Sequence, residues 1–289
     1  MAGYMYLGNK KVCPAILIGG GGQSDIIPQT VEDGAYKGIS ITEFKLPDDA
    51  ITIDSNTNSV LANTFVWDSS FAIGPNWIKS VNLNNLKYVN GGKSFDSMCR
   101  SNRSLLSFNA PNLEEIDGWQ AFYRVCSKCN NITSVSFPRL KKIIGDSSMR
   151  SFIENCPKIT TLEFPLLEEL GFDNDESIEC GTVFSGSCVS NTKLETVRFQ
   201  SLKYIYPYMC FYQCFYDCPA LKDIYFNSLR SDAFGSLDSN QFSDMFGGST
   251  TGVKLHFPAN LSSVIPNMDD YPNFGGTNIT ILYDLPATE

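Results

Sequence analysis

Apolar and polar positions follow a pattern that recurs along the chain. Four segments share one apolar frame and start 27 residues apart. They are IKSVNLNNLKYV at Ile78, LLSFNAPNLEEI at Leu105, ITSVSFPRLKKI at Ile132 and ITTLEFPLLEEL at Ile159. Further copies start at Ile41, Leu194, Leu221 and, in degenerate form, Gly252. Equal spacings with one shared frame predict an array of structural repeats.

The middle of each copy alternates between apolar and polar residues. In the third copy, Val135 and Phe137 alternate with Ser134 and Ser136. A period of two, built from β-branched and aromatic residues, predicts a short strand. Because the copies repeat, these strands are expected to stack side by side in parallel.

A different period precedes each strand. Counted back from the start of a copy, offsets −10, −7, −6 and −3 carry apolar or small residues. The six sets lie within Phe95–Asn102, Phe122–Cys129, Met149–Cys156, Phe184–Asn191, Phe211–Cys218 and Phe242–Ser249. A spacing of i, i+3, i+4, i+7 is that of one helix face. The predicted fold class is therefore α/β: a solenoid with one short parallel strand and one short helix per repeat of about 27 residues.

Most cysteines share two offsets of this stripe. Offset −6 holds Cys99, Cys126 and Cys188, and offset −3 holds Cys129, Cys156 and Cys218 or, in other copies, Asn102 and Asn191. A position that accepts Cys or Asn predicts a small buried side chain bonded to turn backbone in an internal ladder, with reduced thiols. Disulfide pairing is one alternative. A metal site at Cys126-x-x-Cys129 or at Cys210, Cys214 and Cys218 is another, although a closed zinc site needs four ligands.

The net charge of the chain argues against some classes of binding partner. The 289 residues carry a formal net charge of −9, which argues against a nucleic-acid backbone or an anionic membrane as the main partner. No apolar run approaches the ~20 residues that span a bilayer, so membrane insertion is not expected. The N-terminus lacks the apolar core of a signal peptide.

Motifs for catalysis or cofactor binding are weak. Gly91-Gly92-Lys93-Ser94 resembles the end of a phosphate loop, but Lys87 stands where that loop needs glycine. A Ser–His–acid triad would have to use His256, the only histidine, which lies on a repeat strand. We therefore expect no enzyme, no cofactor and no metal. The acidic insertion with Asp173, Asp175, Glu176 and Glu179 favours a solvated loop over a calcium site, because the EF-hand register is missing.

The motif LxxIxFPxLxxI, followed by Phe and then Cys or Asn, resembles the BspA-like leucine-rich repeats of bacterial surface proteins. The third copy carries it best, as CNNITSVSFPRLKKI, and the resemblance spans roughly residues 39–283. It implies a leucine-rich-repeat solenoid and adhesion or recognition rather than catalysis. The repeats are longer than the family's usual unit, and Ser249 replaces the −3 Cys or Asn in the last full copy.

Two regions are expected. Residues 1–38 lie outside the repeats, contain the break Gly19–Gly22 and predict a hairpin around Gly8-Asn9. They form either a cap over the first repeat or an attachment segment. Their YMYLGNKKVCPAI resembles the starts of some phage and prophage tail-associated proteins. Residues 39–289 form the solenoid, with NITILYDL as the closing strand. Both resemblances favour a location at a cell surface or on a virion.

Strand residues that face away from the core form two columns on the expected concave sheet. The first column is Ser80, Ser107, Ser134, Thr161, Thr196, Asp223 and Lys254. The second is Asn82, Asn109, Ser136, Glu163, Arg198, Tyr225 and His256. The later members carry charge, a phenol and an imidazole, so the predicted ligand-binding residues are Glu163, Arg198, Tyr225, His256, Thr161, Thr196, Asp223 and Lys254, with the first four exposed. Surplus tyrosines at 204, 206, 208, 212 and 216 offer a second surface or a subunit contact.

Two functions stay open from sequence. One is a non-enzymatic adhesion module that binds a protein or a glycan, on another cell or in a larger assembly, through the solenoid surface. The other is a phage or prophage tail or fibre subunit that assembles through residues 1–38, with self-association into a homo-oligomer also open. Both are compatible with the absence of a nucleic-acid partner.

Overall fold

The computed structural model describes most of the repeat region and part of the N-terminal segment. The described residues are 43–46, 51–53, 61–62, 78–171, 182–206, 209–230, 232, 241–242, 244–263 and 274–288, with the backbone of four short strands before residue 37. The acidic insertion, Tyr208, Gly19–Gly22, Cys13 and Cys180 lie outside them.

Short strands dominate the described chain. In chain order they are β1 Met5–Leu7, β2 Lys10–Val12, β3 Thr30–Glu32, β4 Ala35–Tyr36, β5 Glu43–Lys45, β6 Thr52–Ile53, β7 Ser80–Asn82, β8 Tyr88–Val89, β9 Ser107–Asn109, β10 Glu115–Ile116, β11 Ser134–Ser136, β12 Lys142–Ile143, β13 Thr161–Phe164, β14 Glu169–Leu170, β15 Thr196–Phe199, β16 Tyr204–Ile205, β17 Phe215–Tyr216, β18 Asp223–Phe226, β19 Phe246–Gly247, β20 Lys254–Pro258 and β21 Thr280–Leu285. A 3-10 helix spans Ala259–Ser263. No helix in the described residues is long and apolar enough to cross a membrane.

The repeat strands stack in parallel, as the sequence predicts. The alternating strands form two sheets, one ordered β11-β9-β7-β5 and one ordered β13-β15-β18-β20-β21. A second strand of two residues, present in the six copies from Ile41 to Leu194, adds a six-stranded parallel sheet ordered β16-β14-β12-β10-β8-β6. Equivalent residues of successive copies pair directly, for example Val81 with Phe108 and Val197 with Ile224. The chain is therefore a repeat solenoid, and we call each of its turns a rung.

The N-terminal strands form a separate antiparallel sheet, ordered β1-β2-β3-β4. Met5–Leu7 and Lys10–Val12 pair with Leu7 opposite Lys10. This antiparallel pairing is the one expected of the predicted hairpin, whose turn residues Gly8 and Asn9 lie outside the described residues.

The predicted helix in each repeat is wrong. From Lys93 to Ser101, every second N–H donates to a carbonyl 26 residues further along the chain, at 2.7–2.8 Å. From Asp96 to Asn102, the intervening N–H groups donate three residues back, at 2.9–3.1 Å. Every fourth residue has a positive φ, such as 54° at Ser97 and 61° at Ser101, whereas helical residues lie near −63°. Each of the six described segments therefore forms a ribbon of consecutive turns.

The ribbon buries the same side chains that a helix would bury. Its four-residue period turns offsets −10, −7, −6 and −3 inward, and Phe122, Val125, Cys126 and Cys129 are all fully buried. The ribbon differs from a helix in its backbone, because half of its N–H groups bind the next rung. A helix uses its N–H groups internally and cannot join rungs in this way. Stacking thus stabilises the ribbon, and the apolar spacing alone does not separate the two structures.

Stacked phenylalanine rings fill the interior. Phe164, Phe199, Phe226 and Phe257 occupy one column on successive strands. Their adjacent ring centroids lie 5.4, 5.2 and 5.2 Å apart, with planes within 5–7° of parallel. Each ring therefore has an aromatic neighbour in the adjacent rung, a geometry favourable to aromatic pairs.

The cysteine ladder follows the sequence prediction. The eight cysteines in the described residues are free and buried. The thiols of Cys129, Cys156 and Cys218 each donate to the carbonyl of the −6 cysteine of the rung before, at 3.0 Å. Asn191 serves the same position by accepting the N–H of Cys156. In the last copy Thr250, not Ser249, takes this place: it donates to the Phe215 carbonyl and accepts the Cys218 N–H, while Ser249 is exposed.

Glycines that follow the second strand let the rungs approach closely. Gly118 and Gly145 lie 27 residues apart, and a Cβ on either would stand 2.3–2.4 Å from a backbone carbonyl oxygen of the preceding rung. Gly91, part of the segment that resembles the end of a phosphate loop, occupies the equivalent corner. Its carbonyl accepts a hydrogen bond from the Ser94 hydroxyl. These glycines therefore serve chain packing.

Candidate functional site

Each of the two predicted columns is divided between two sheets. The small polar residues, Ser80 to Ser134 and Asn82 to Ser136, lie on the four-stranded sheet. The eight predicted ligand-binding residues lie on the five-stranded sheet, where Thr161, Thr196, Asp223 and Lys254 pair in one row. Glu163, Arg198, Tyr225 and His256 pair in the next row. We call this second row the stripe.

The four side chains of the stripe touch in sequence. The Arg198 guanidinium donates to the Glu163 carboxylate at 3.5 Å and lies 4.9 Å from the Tyr225 ring centroid. Tyr225 stacks on His256 with centroids 4.2 Å apart and planes 11° from parallel. Since β18 lies between β15 and β20, the guanidinium and the imidazole cover opposite faces of the phenol ring. Tyr225 thus presents its edge and hydroxyl, rather than an open aromatic face.

The prediction that all four stripe residues are exposed is correct only for Glu163, because Arg198 and Tyr225 are half-buried and His256 is buried. His256 departs furthest from the prediction. It is only 7% exposed, because Tyr225 covers its ring on one side and β21 pairs beside it on the other. Its Nδ1 lies 2.9 Å from the Asp284 carboxylate, and its Nε2 lies 3.1 Å from that of Asp223. A substitution at His256 therefore affects folding as well as the surface.

Asp284 is the residue that sequence reasoning missed. It lies on β21, the segment expected to form the closing strand, and its side chain is about half exposed. The parallel pairing sets Lys254 against Thr280 and His256 against Leu282. Extending the two columns by one more strand to Thr280, Leu282 and Asp284 would have shown that a carboxylate follows on this face.

The other row, of Thr161, Thr196, Asp223 and Lys254, differs from the stripe in its exposure. Thr161 and Lys254 are exposed, and Thr196 and Asp223 are half-buried. Beside this row, Lys222 donates to Glu195 at 3.4 Å on the surface. An exposed pair such as this one contributes little to stability.

The surplus tyrosines sit elsewhere. Tyr204, on β16, stacks on Tyr206 with centroids 5.7 Å apart, and Arg230 lies over its ring at 5.7 Å. Tyr216 on β17 is 37% exposed. They form no single patch with the stripe, because β16 belongs to the six-stranded sheet and β17 pairs with β19.

Comparison with known proteins finds similarity to solved structures at low sequence identity. No protein-family model matches the chain, and no curated protein matches it. Among solved structures, it is similar to a leucine-rich repeat protein from Bacteroides ovatus, at 12% identity over 84% of each chain with a TM-score of 0.26. The pneumococcal vaccine antigen PcpA gives 14% identity over 98% of this chain and 99% of that one, with a TM-score of 0.23. The chain is also similar to a leucine-rich cell surface protein from Faecalibacterium prausnitzii, at 12% identity over 96% of this chain and 94% of that one, with a TM-score of 0.22. Because these TM-scores are low, the solenoid is assigned from the register of its own repeat strands.

Proposed function

We propose that this chain is a non-enzymatic recognition module of the leucine-rich-repeat type that binds a protein or glycan partner through the stripe. One observation carries the proposal. Four chemically different side chains from four adjacent strands stand in a contiguous stack on the solvent side of the sheet. Groups held in place before binding lose little entropy when a partner arrives.

The groups that the stack presents are hydrogen-bonding ones. The Arg198 guanidinium makes one long hydrogen bond to Glu163 and has further N–H donors. The Glu163 side chain is 53% exposed, and Tyr225 offers its hydroxyl because both ring faces are covered. This mixture of donors and acceptors suits a hydroxyl-rich glycan or a polar loop of a protein.

Catalysis fits this geometry poorly. His256 directs both ring nitrogens at carboxylates, Asp284 on one side and Asp223 on the other. Neither nitrogen is left to take a proton from a nucleophile, which is the task of a histidine in acyl transfer. We therefore assign His256 a positioning role, in which it supports the ring of Tyr225.

A screen of full-length protein against immobilised glycans and cell-surface proteins tests the proposal. For any partner found, Arg198→Ala should weaken binding by more than about 1 kcal/mol. Asn109→Ala, on the four-stranded sheet, is the matched control and should change binding by less than about 0.5 kcal/mol. Equal losses for both variants, or no loss for either, would remove the stripe from the interface.

Residues 1–38 carry a second candidate function, assembly into a larger particle. The observation that favours it is their separate antiparallel sheet, which shares no strand with the solenoid sheets. Light scattering after size exclusion, on residues 1–289 and 39–289, tests it. A multimer that becomes a monomer on truncation supports assembly, whereas a monomer in both cases rules out self-assembly through this segment.

A further inference from the structure

The outer side of the turn ribbon carries an uneven distribution of charge. In the three rungs from Lys93 to Asn155, the outward positions of the ribbon hold five cations, Lys93, Arg100, Arg124, Lys128 and Arg150, against three carboxylates, Asp96, Asp146 and Glu154. We call the five cations the basic ridge. In the later rungs, the described ribbon residues 182–190, 209–217 and 244–248 contain no Lys or Arg, and Asp217 and Asp244 lie on them. The ridge is thus confined to one half of the solenoid.

The cations of the ridge make no ion pair in the described structure. Elsewhere lysines are paired, as with Lys141 and Glu114 at 3.0 Å or Lys203 and Glu168 at 2.9 Å. The carboxylates of these rungs are engaged by other groups: Ser97 donates to Asp96 and Ser127 donates to Glu154. Ser147 and Trp119 donate to Asp146, which also lies near Arg150. The guanidinium and ammonium groups therefore keep their N–H donors for a partner.

Aromatic rings stand among these cations. Trp119 is 51% exposed, and the Lys93 ammonium lies 4.5 Å from its ring centroid. The Arg124 guanidinium lies 4.6 Å from the centroid of Tyr123. A cation–π contact orients a cation without neutralising it, so both charges remain available. An exposed Trp beside such cations is also the composition that interface hot spots favour.

We propose that the basic ridge binds an acidic polysaccharide, one that carries carboxylate or sulfate groups along a chain of sugar rings. Arg100, Arg124 and Arg150 come from three successive rungs, which places their backbones within about 10 Å along the solenoid axis. Guanidinium groups pair with carboxylate and sulfate oxygens through two N–H donors at once. The rings of Trp119 and Tyr123 supply apolar surface for the C–H faces of sugars.

A sugar polymer fits better than a nucleic acid. Nucleic-acid affinity comes from neutralising many phosphates along an extended basic surface. Here the ridge covers three rungs of a chain whose net charge is −9, and carboxylates lie among its five cations, so it is not the extended basic surface that a nucleic-acid backbone needs. The ridge is also separate from the stripe, so this proposal does not depend on the proposed function.

Conformationally matched variants test the ridge. Arg124 and Lys128 have φ values of 53° and 61°, and the rung before them carries Ser97 and Ser101 at the equivalent positions, with φ of 54° and 61°. Arg124→Ser/Lys128→Ser therefore removes two charges while it keeps residues that this backbone accepts. Lys141→Ser/Lys203→Ser, on the six-stranded sheet side, removes the same charge as a control. Arg150→Ser is a further single variant, since Ser185 follows it in the next rung.

The measurement is binding of the full-length protein to heparin, polygalacturonate, neutral dextran and single-stranded DNA. We expect heparin and polygalacturonate to bind and dextran not to bind, with an affinity that falls as salt rises. The ridge double variant should weaken heparin binding at least tenfold, and the control should stay within about twofold. Unchanged thermal unfolding of the variants shows that the loss is local. Equal losses in both double variants, no heparin binding, or DNA binding as tight as heparin binding would overturn the proposal.

Discussion

At the scale of single residues, stability depends on neighbours in adjacent rungs. Phe152 is buried, and its ring lies 5.9, 6.4 and 5.6 Å from the rings of Phe108, Phe122 and Phe137. These rings come from other rungs of the stack. A side chain removed here leaves a cavity that neighbours on two sides would have to fill, and stacked backbones restrict that collapse.

Phe152→Ala should therefore lower the free energy of unfolding by about 3–5 kcal/mol, the usual range for this truncation in a core. Chemical denaturation of the two proteins measures the difference. Phe152→Leu serves as the control and should cost less, because it leaves a smaller cavity. A loss below about 1 kcal/mol for the alanine variant would contradict the burial of this position.

The thiol ladder predicts loss of stability at alkaline pH. Burial raises the pKa of Cys156 to about 12 from 9.0, and it also raises the pKa of Cys126 and Cys129. Above pH 9 the unfolded chain releases thiol protons that the folded chain keeps, so stability is full below about pH 9 and falls as pH rises towards about 12. Each such thiol contributes a slope of about 1.4 kcal/mol per pH unit.

Urea unfolding between pH 7 and pH 11 measures this slope. Cys156→Ser is the control, because serine can still donate to the Cys126 carbonyl but does not titrate, and its slope should be shallower by the share of one thiol. Native thiols should also resist alkylation at pH 8 and react after unfolding. A slope that is the same in both proteins, or rapid alkylation of the native ladder, would contradict this account.

At the scale of elements, the strand and the turn ribbon were unequally predictable. The period of two identified the strands, and their register followed from the 27-residue spacing. The ribbon was missed because its inward side chains repeat at i, i+3, i+4 and i+7, as on a helix. The signal that separates the two lies in the outward residues: Ser97, Ser101, Ser151, Asn155 and Gly186 occupy positions of positive φ, where small or turn-forming residues are favoured.

Substitutions at one such position distinguish a ribbon from a helix. Ser151 has a φ of 54°, and Gly186 has the equivalent place in the next rung. Ser151→Gly should leave the free energy of unfolding unchanged or raise it, whereas Ser151→Val should lower it by about 1–2 kcal/mol, because a β-branched residue resists this backbone.

Ser134→Val is the matched control for that pair. Ser134 is exposed on a strand, where valine is favoured, so its unfolding free energy should change by less than about 0.5 kcal/mol. In a helix the ranking at residue 151 would reverse, since glycine is worse than valine there. A glycine variant less stable than the valine variant would therefore support a helix at residue 151 and contradict the ribbon.

At the scale of the whole molecule, the predicted site was only partly readable from sequence. The shared apolar frame was enough to align Glu163, Arg198, Tyr225 and His256 across four strands despite unequal spacings, and the structure pairs them in that register. The burial of His256 was not readable, because it depends on Asp284 and on β21, which joins the sheet outside the repeat frame. The basic ridge was also missed, although a helix with this apolar stripe would leave the same positions outward, because the apolar pattern carries no information about those positions.

The central claim is that recognition belongs to the stripe and not to the tyrosines on the other sheet. Affinity of a partner identified by screening, measured for Tyr225→Ala and Tyr204→Ala, tests this directly, because the two changes remove the same side chain from different sheets. The account predicts at least a tenfold loss for Tyr225→Ala, about 1.4 kcal/mol, and a loss below about 0.5 kcal/mol for Tyr204→Ala. A larger loss for Tyr204→Ala, or equal losses in two variants that melt like the parent protein, would contradict it.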